Sequence, residues 1–138
     1  MEVCSGHPFI PQLHVAFETK NFVIFGMEYC NGGELFNLLR KVKKMKEEDA
    51  RFYFLETLSA LQFLHSKGIL YRDLKPENII LDSEGHIRLA DFGLSKTIND
   101  QMTYSFCGSA EYMSPEMLLK YKSSHIEKAI VMKLIITV

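Results

Sequence analysis

The sequence predicts an α+β domain, and three observations carry that reading. A β-branched and aromatic run, NFVIFGMEY from Asn21 to Tyr29, has the composition of a strand. Residues 47–68, EEDARFYFLETLSALQFLHSKG, place apolar side chains near helical spacing over a length no strand reaches. Two short apolar runs, ENIILD and HIRLAD, flank the turn residues Ser83 to Gly85 and read as a hairpin.

Taken in order, the first strand ends at CNGGELF, where Asn31, Gly32 and Gly33 signal a turn and a helix is expected to begin near Glu34. The basic run Arg40 to Lys46 reads as a solvated face rather than a nucleic-acid site. In the long helix, Phe52, Leu55, Leu58, Leu61 and Phe63 or Leu64 form the periodic set, acids occupy the first turn, and Gly68 is the stop. After the hairpin, Ser95 to Ser114 shows little periodicity and is expected to be a long loop.

Bulk properties narrow the function classes. A chain of 138 residues with 47% hydrophobic and 24% charged residues is ordinary for one globular domain, and far from the apolar-poor composition of disorder. A net charge of -1 leaves no electrostatic footprint for nucleic acid or an anionic membrane. Cys4, Cys30 and Cys107 are odd in number, widely spaced and without a CxxC pair, so neither a disulfide framework nor a zinc site is indicated, and a reducing cytoplasm or nucleus fits best. The start lacks the blocks of a signal peptide and the apolar end AIVMKLIITV is too short to span a bilayer, so no membrane partner is expected.

The charge-dense stretch YRDLKPEN, Tyr71 to Asn78, falls between the long helix and the hairpin, and DFG, Asp91 to Gly93, follows the hairpin directly. Its two acids would stand at neighbouring loop mouths. Attack of a hydroxyl on a phosphoryl group needs a carboxylate near the hydroxyl proton, a lysine to offset phosphate charge, and oxygen ligands for magnesium. Asp73, Lys75, Asn78 and Asp91 are such a set.

With RDLKPEN, DFG and SPE (Ser114 to Glu116) in that order, the chain resembles the eukaryotic protein kinases. Lysine two places after Asp73 is the serine/threonine pattern. The stretches HPFIPQLHVAF, MEYCNGGELF and YSFCGSAEYMSPE look most like the AGC group and its ribosomal-S6-kinase-like members, over residues 3–119. The resemblance implies a partial protein-kinase-like fold: the end of the N-lobe sheet, the hinge, and the mainly helical first half of the C-lobe. It also implies ATP and Mg2+ as cofactors, a protein substrate, and an upstream activating kinase as partner.

Carried over motif by motif, Asp73 would orient the substrate hydroxyl as base and Lys75 would neutralise the transferring phosphate. Asn78 and Asp91 would ligate magnesium. Met27 would guard the back of the nucleotide pocket, the backbone from Glu28 to Cys30 would bind adenine as the hinge, and Ile80 would lie under the adenine ring. Met27 and Ile80 are core apolar residues on either reading. Glu34 would reach the ribose, or serve equally well as an acid in a helix's first turn. Leu13, Tyr71 and Phe92 match an apolar stack linking the lobes, and Ser109 matches the hydroxyl residue beside the acceptor. Ser105 matches the AGC activating phosphorylation site, with Arg72 as its partner. Cys30 and Cys107 read as small packing residues.

Departures from the family pattern set a further expectation. No GxGxxG precedes HPFIPQL, no strand lysine and helix glutamate can be placed, and after SPEMLLKYKSSH stands IEKAIVMKLIITV in a chain without tryptophan. A kinase segment truncated at both ends is expected, inactive by itself, with residues 120–138 a divergent tail. The alternatives are a non-catalytic kinase-like binding module and a truncated splice product.

Overall fold

The computed structural model describes Cys4, residues 6–97 and residues 108–112. Expectations for Ser105, Cys107, Ser114 and residues 120–138 lie outside the described residues. Among the described residues are three small antiparallel sheets and two α-helices, in the order β1 (Leu13–Glu18), β2 (Val23–Met27), β3 (Gly33–Glu34), α1 (Leu35–Val42), α2 (Glu47–Ser66), β4 (Ile69–Leu70), β5 (Ile79–Leu81), β6 (Ile87–Leu89) and β7 (Lys96–Thr97). The α+β class holds.

The expected strand is β2. Its partner β1, which sequence periodicity does not single out, runs antiparallel to it with a register shift between Leu13 and Val15. Alternation of apolar and polar residues fails here because both faces of the pair carry exposed apolar side chains, among them Phe17, Val23, Ile24 and Phe25. The chain then turns through Gly32, where an added Cβ would lie 2.6 Å from the Asp82 carbonyl oxygen, so only glycine permits this approach. Glu34 caps α1 with extended backbone, as the turn signal requires, and the basic run after it is exposed apart from the half-buried Met45.

Helix α2 begins with Glu47, Glu48 and Asp49 in its first turn, where the helix dipole favours acids, and closes at Gly68 in the left-handed region with φ 68°. Its buried stripe is Glu56, Thr57, Ala60, Leu61 and Leu64. The stripe departs from the expected one at its N-terminal half, where Phe52 and Leu55 are 42% and 53% exposed. Burial there passes instead to Glu56, which the hairpin backbone engages, and to Thr57, whose hydroxyl donates to the Tyr53 carbonyl at 2.8 Å.

The hairpin forms as expected, with Ile79 opposite Leu89 and Leu81 opposite Ile87. All four side chains enter the core together with Leu35, Ala60, Leu61, Leu64, Tyr71 and Leu74. Full burial of each aliphatic side chain is worth roughly 1.5–3 kcal/mol, which makes this hairpin a firm platform. Asp82 holds the turn by accepting the Glu84 and His86 amides at 2.9 Å each. Beyond it, Lys96 and Thr97 pair with Leu70 and Ile69, so the expected loop from Ser95 starts with a short strand.

Candidate active site

Local sequence explains why the charged stretch folds back on itself. Tyr71 and Leu74 are buried on either side of Arg72 and Asp73 and anchor the loop in the core. Pro76 forces Lys75 into extended backbone with φ -155°, then starts a single 3-10 turn over Pro76–Asn78. That turn brings Asn78 back to Asp73, and its Nδ2 donates to the Asp73 carbonyl oxygen at 2.9 Å and to Oδ2 at 3.0 Å.

Asp73 is 6% exposed and its carboxylate collects donors on both oxygens. Lys75 Nζ lies 2.8 Å from Oδ2, while Oδ1 accepts the Ser109 amide at 3.1 Å and the Ser109 hydroxyl at 3.0 Å. Lys75 also donates to Ser109 Oγ at 3.1 Å. Burial alone would raise the Asp73 pKa, but hydrogen bonds from Lys75, Ser109 and Asn78 outweigh it and hold the carboxyl below the usual range. The same hydrogen bond from the other side raises the Lys75 pKa, so the pair is charged at neutral pH.

Two non-glycine residues at this site have left-handed backbone, Arg72 with φ 68° and Asp91 with φ 53°. Each such position costs on the order of 1–2 kcal/mol, and the packing around it supplies the compensation. At Arg72, Nε donates to the Leu94 carbonyl at 2.6 Å, while Nη1 is buried without a partner among the described residues. At Asp91, Oδ1 accepts the Gly93 amide at 3.0 Å. Buried Tyr71 donates its hydroxyl to the Ala90 carbonyl and packs edge-on against Phe92, with ring centroids 5.5 Å apart. The Ala90 amide in turn donates to the Asn78 carbonyl at 2.9 Å, so the backbone just before Asp91 is bonded to Asn78.

The donor set suits magnesium rather than a softer metal. Asn78 commits its amide nitrogen to Asp73, which leaves its oxygen for a cation, and Asp91 is an exposed carboxylate. No group of three His, Cys, Asp or Glu side chains able to hold a metal occurs among the described residues. Magnesium asks for less, since one or two protein ligands suffice when phosphate oxygens and water complete its shell.

The residues expected on the nucleotide side lie on β2, β3 and β5, Met27 in one sheet and Glu34 and Ile80 in another. Met27 ends β2 opposite Leu13 but is 41% exposed, and Ile80 is only half-buried, so neither is the core residue expected. The β1–β2 pair exposes its apolar side chains, and Ile80 points away from the buried face of β5. The Glu28 amide donates to the Gln12 carbonyl at 2.8 Å. Glu34 pairs with Ile80 across β3 and β5, which places the two expected nucleotide contacts side by side. The Glu34 side chain makes no capping bond, so its carboxylate is not spent on α1. Cys30 is half-buried near the Glu28 carbonyl, and burial together with Glu28 raises its thiol pKa, in keeping with a packing residue. Of the expected apolar stack, the structure joins Tyr71 to Phe92 and sets Leu13 in register with Met27.

Sequence reasoning missed three ionic links. Glu56 on α2 meets His86 Nδ1 at 2.6 Å and accepts the Ile87 amide at 3.0 Å. Arg88 on β6 reaches Glu28 Oε1 and Asp82 Oδ2, both at 3.2 Å. Their only trace in the sequence is a glutamate amid the helical apolar set and charged residues alternating with Ile87 and Leu89.

The protein kinase domain family pattern matches residues 1–132. Human ribosomal protein S6 kinase alpha-1 is 50% identical over 122 residues, covering 87% of this chain and 17% of that protein. Human ribosomal protein S6 kinase alpha-2 is 53% identical over 115 residues, 82% of this chain and 16% of its own. Ribosomal protein S6 kinase 2 beta of Xenopus laevis is 50% identical over 121 residues, 86% and 19% respectively. The chain therefore spans less than a fifth of the length of these relatives. With the pattern matched along nearly all of its residues, and with its similarity lying among the ribosomal S6 kinases of the AGC group, the chain belongs to the protein kinase domain family.

Proposed function

We propose that this protein is a serine/threonine kinase that transfers the terminal phosphoryl group of ATP to protein hydroxyls. The observation that carries the reading is the Asp73 carboxylate, buried, charged, and held by Lys75, Asn78 and a serine hydroxyl. Ser109 marks how Asp73 Oδ1 receives a hydroxyl, and a substrate hydroxyl directed at that carboxylate would be oriented in the same way. A carboxylate with a lowered pKa is a weak base, so Asp73 aims the hydroxyl and takes its proton late in the transfer. Lys75, 2.8 Å from Asp73, brings positive charge to where the transferring phosphate must pass.

Asn78 and Asp91 would hold Mg2+, which when bound neutralises phosphate charge. Adenine would lie against Met27 and Ile80 and hydrogen-bond the backbone between Glu28 and Cys30, with Glu34 placed for the ribose. Phosphorylated Ser105 would pair with Arg72, whose buried Nη1 lacks a partner among the described residues and suits an anion. An upstream kinase would install that phosphate, and placement in cytoplasm or nucleus fits the free thiols of Cys4 and Cys30. Among the described residues no helix is long and apolar enough to cross a membrane.

A second reading, a non-catalytic binding module, draws on the exposed apolar side chains of β1 and β2. The discriminating experiment uses the intact protein, that is, this chain within a complete kinase domain, incubated with Mg2+, ATP and a basic serine peptide. Phosphoserine formation that disappears in Asp73→Asn supports the kinase, and none from unsubstituted, phosphorylated protein overturns it.

A further inference from the structure

We propose that Arg88 is the positioning residue of the nucleotide hinge, tying the backbone that would bind adenine to the strand that would lie beneath it. The inference rests on the kinase reading and adds to it a residue which no motif marks.

The register places Arg88 first. In the three-stranded sheet Glu34 stands opposite Ile80, and Ile80 stands opposite Arg88. Residues directly opposite one another across an antiparallel sheet share a face, so the three side chains form one row. The alternate positions on β5 and β6, Ile79, Leu81, Ile87 and Leu89, are buried in the core. The face that bears the proposed ribose and adenine contacts therefore continues into a guanidinium group.

The reach of that group comes next. Arg88 Nη2 contacts Glu28 Oε1 and Asp82 Oδ2, both at 3.2 Å, and Nε also donates to Glu28 Oε1 at 3.2 Å. Nη1 donates to the Pro8 carbonyl and, at 3.3 Å, to the Ile87 carbonyl. Glu28 is held from its other oxygen as well, because Oε2 accepts the Gln12 amide at 3.3 Å. One side chain thus joins three segments: residues 8–12, the hinge and the hairpin turn. The Arg88 side chain is only 17% exposed and that of Asp82 15%, so this contact is shielded from solvent, while Glu28 at 33% keeps part of its carboxylate in water.

The consequence is positional. Beyond Glu28 the hinge has its next main-chain link to the hairpin at Gly32, whose amide donates to the Leu81 carbonyl at 2.8 Å. Residues 29–31 make no backbone hydrogen bond with the hairpin among the described residues, and Tyr29 is 88% exposed. The Glu28 end of this span is held to the hairpin through its side chain, and Arg88 supplies that hold. A guanidinium meets several acceptors in one plane, which a lysine cannot reproduce.

The test compares steady-state kinetics of the intact, activated protein with Arg88→Met, Arg88→Lys, Glu28→Gln and the Arg88→Met/Glu28→Gln double variant. Arg88→Met is expected to raise KM for ATP ~tenfold, about what removing one charged hydrogen bond costs, with a smaller change in kcat and none in KM for the peptide. Arg88→Lys should recover part of the deficit, and the double variant should be no worse than Arg88→Met. Partial unfolding lowers the active fraction and hence kcat, but leaves KM alone. An unchanged KM for ATP in Arg88→Met, or strictly additive effects in the double variant, overturns the inference and leaves the kinase reading standing. Absence of ATP turnover by the unsubstituted protein overturns both.

Discussion

Replacing Glu56 with alanine should loosen the hairpin that carries both proposed magnesium ligands at its ends. Glu56 is 7% exposed, and its two oxygens engage His86 Nδ1 at 2.6 Å and the Ile87 amide at 3.0 Å. Ile87 is fully buried, so in Glu56→Ala its amide has no acceptor and no water to replace it. A hydrogen bond to a charged group contributes about 1.5–3 kcal/mol, which corresponds to roughly tenfold to a hundredfold in a local opening constant. Glu56→Gln retains an oxygen for the amide while losing the charge, and its effect should stay at or below about tenfold. Hydrogen exchange read at the Ile87 amide measures this directly, because local opening sets the rate. Neighbouring amides of β5 and β6 should lose protection with it, whereas those in α1 should not. Unchanged exchange at Ile87 in Glu56→Ala would refute the claim that this buried carboxylate clamps α2 to the hairpin.

Three further outcomes are expected. The Glu56 hydrogen bond raises the His86 pKa, so the contribution of the pair is complete below the unfolded value of about 6.5 and is lost as pH rises through the folded value; a melting temperature that declines over that window in the unsubstituted protein but not in His86→Ala is the check. In the intact protein Ser105→Ala should lower activity sharply, and Arg72→Ala should remove most of the benefit of phosphorylation; full activity of Ser105→Ala counts against this pairing. The 138 residues alone should show no phosphoryl transfer above an Asp73→Asn background, since they contain no GxGxxG loop to cover the phosphates, and removing even one preorganised donor from a transition state slows a reaction by about a hundredfold or more. Transfer clearly above that background would contradict it.

The legible parts of the fold were those with local signals. The long helix, the strand at β2, the hairpin and its turn all follow from periodicity, β-branching and turn residues within one short window. The loop residues Asp73, Lys75, Asn78 and Asp91 stood out because RDLKPEN and DFG match the family's motifs, and the structure brings the first three of them into contact. What stayed hidden depends on partners distant in sequence. Glu56 and His86 are 30 residues apart, and Arg88 and Glu28 are 60. The strands β4 and β7 have two residues each, too short for any period to show. Phe52 and Leu55 fit a helical stripe by spacing yet stay exposed, because the neighbouring face of α2 is recruited by the hairpin instead. The left-handed backbone at Arg72 and Asp91 left no sign either, since glycine, the residue that would advertise it, is absent from both positions.

The kinase reading stands most directly on Asp73, and single-turnover kinetics of the intact protein test it without the confusion of product release. The measurement follows phosphoserine formation in a basic peptide at saturating Mg2+ and ATP, alongside nucleotide affinity, for the unsubstituted protein and Asp73→Asn. Asparagine keeps the size of the side chain and an acceptor oxygen, but loses the charge that Lys75, Ser109 and Asn78 stabilise. The predicted result is a transfer rate reduced by about a hundredfold or more, as expected for loss of a positioned base, with nucleotide affinity changed little. Equal transfer rates in the two proteins, or a loss explained wholly by weaker nucleotide binding, would contradict the assignment of Asp73 as the residue that orients the attacking hydroxyl.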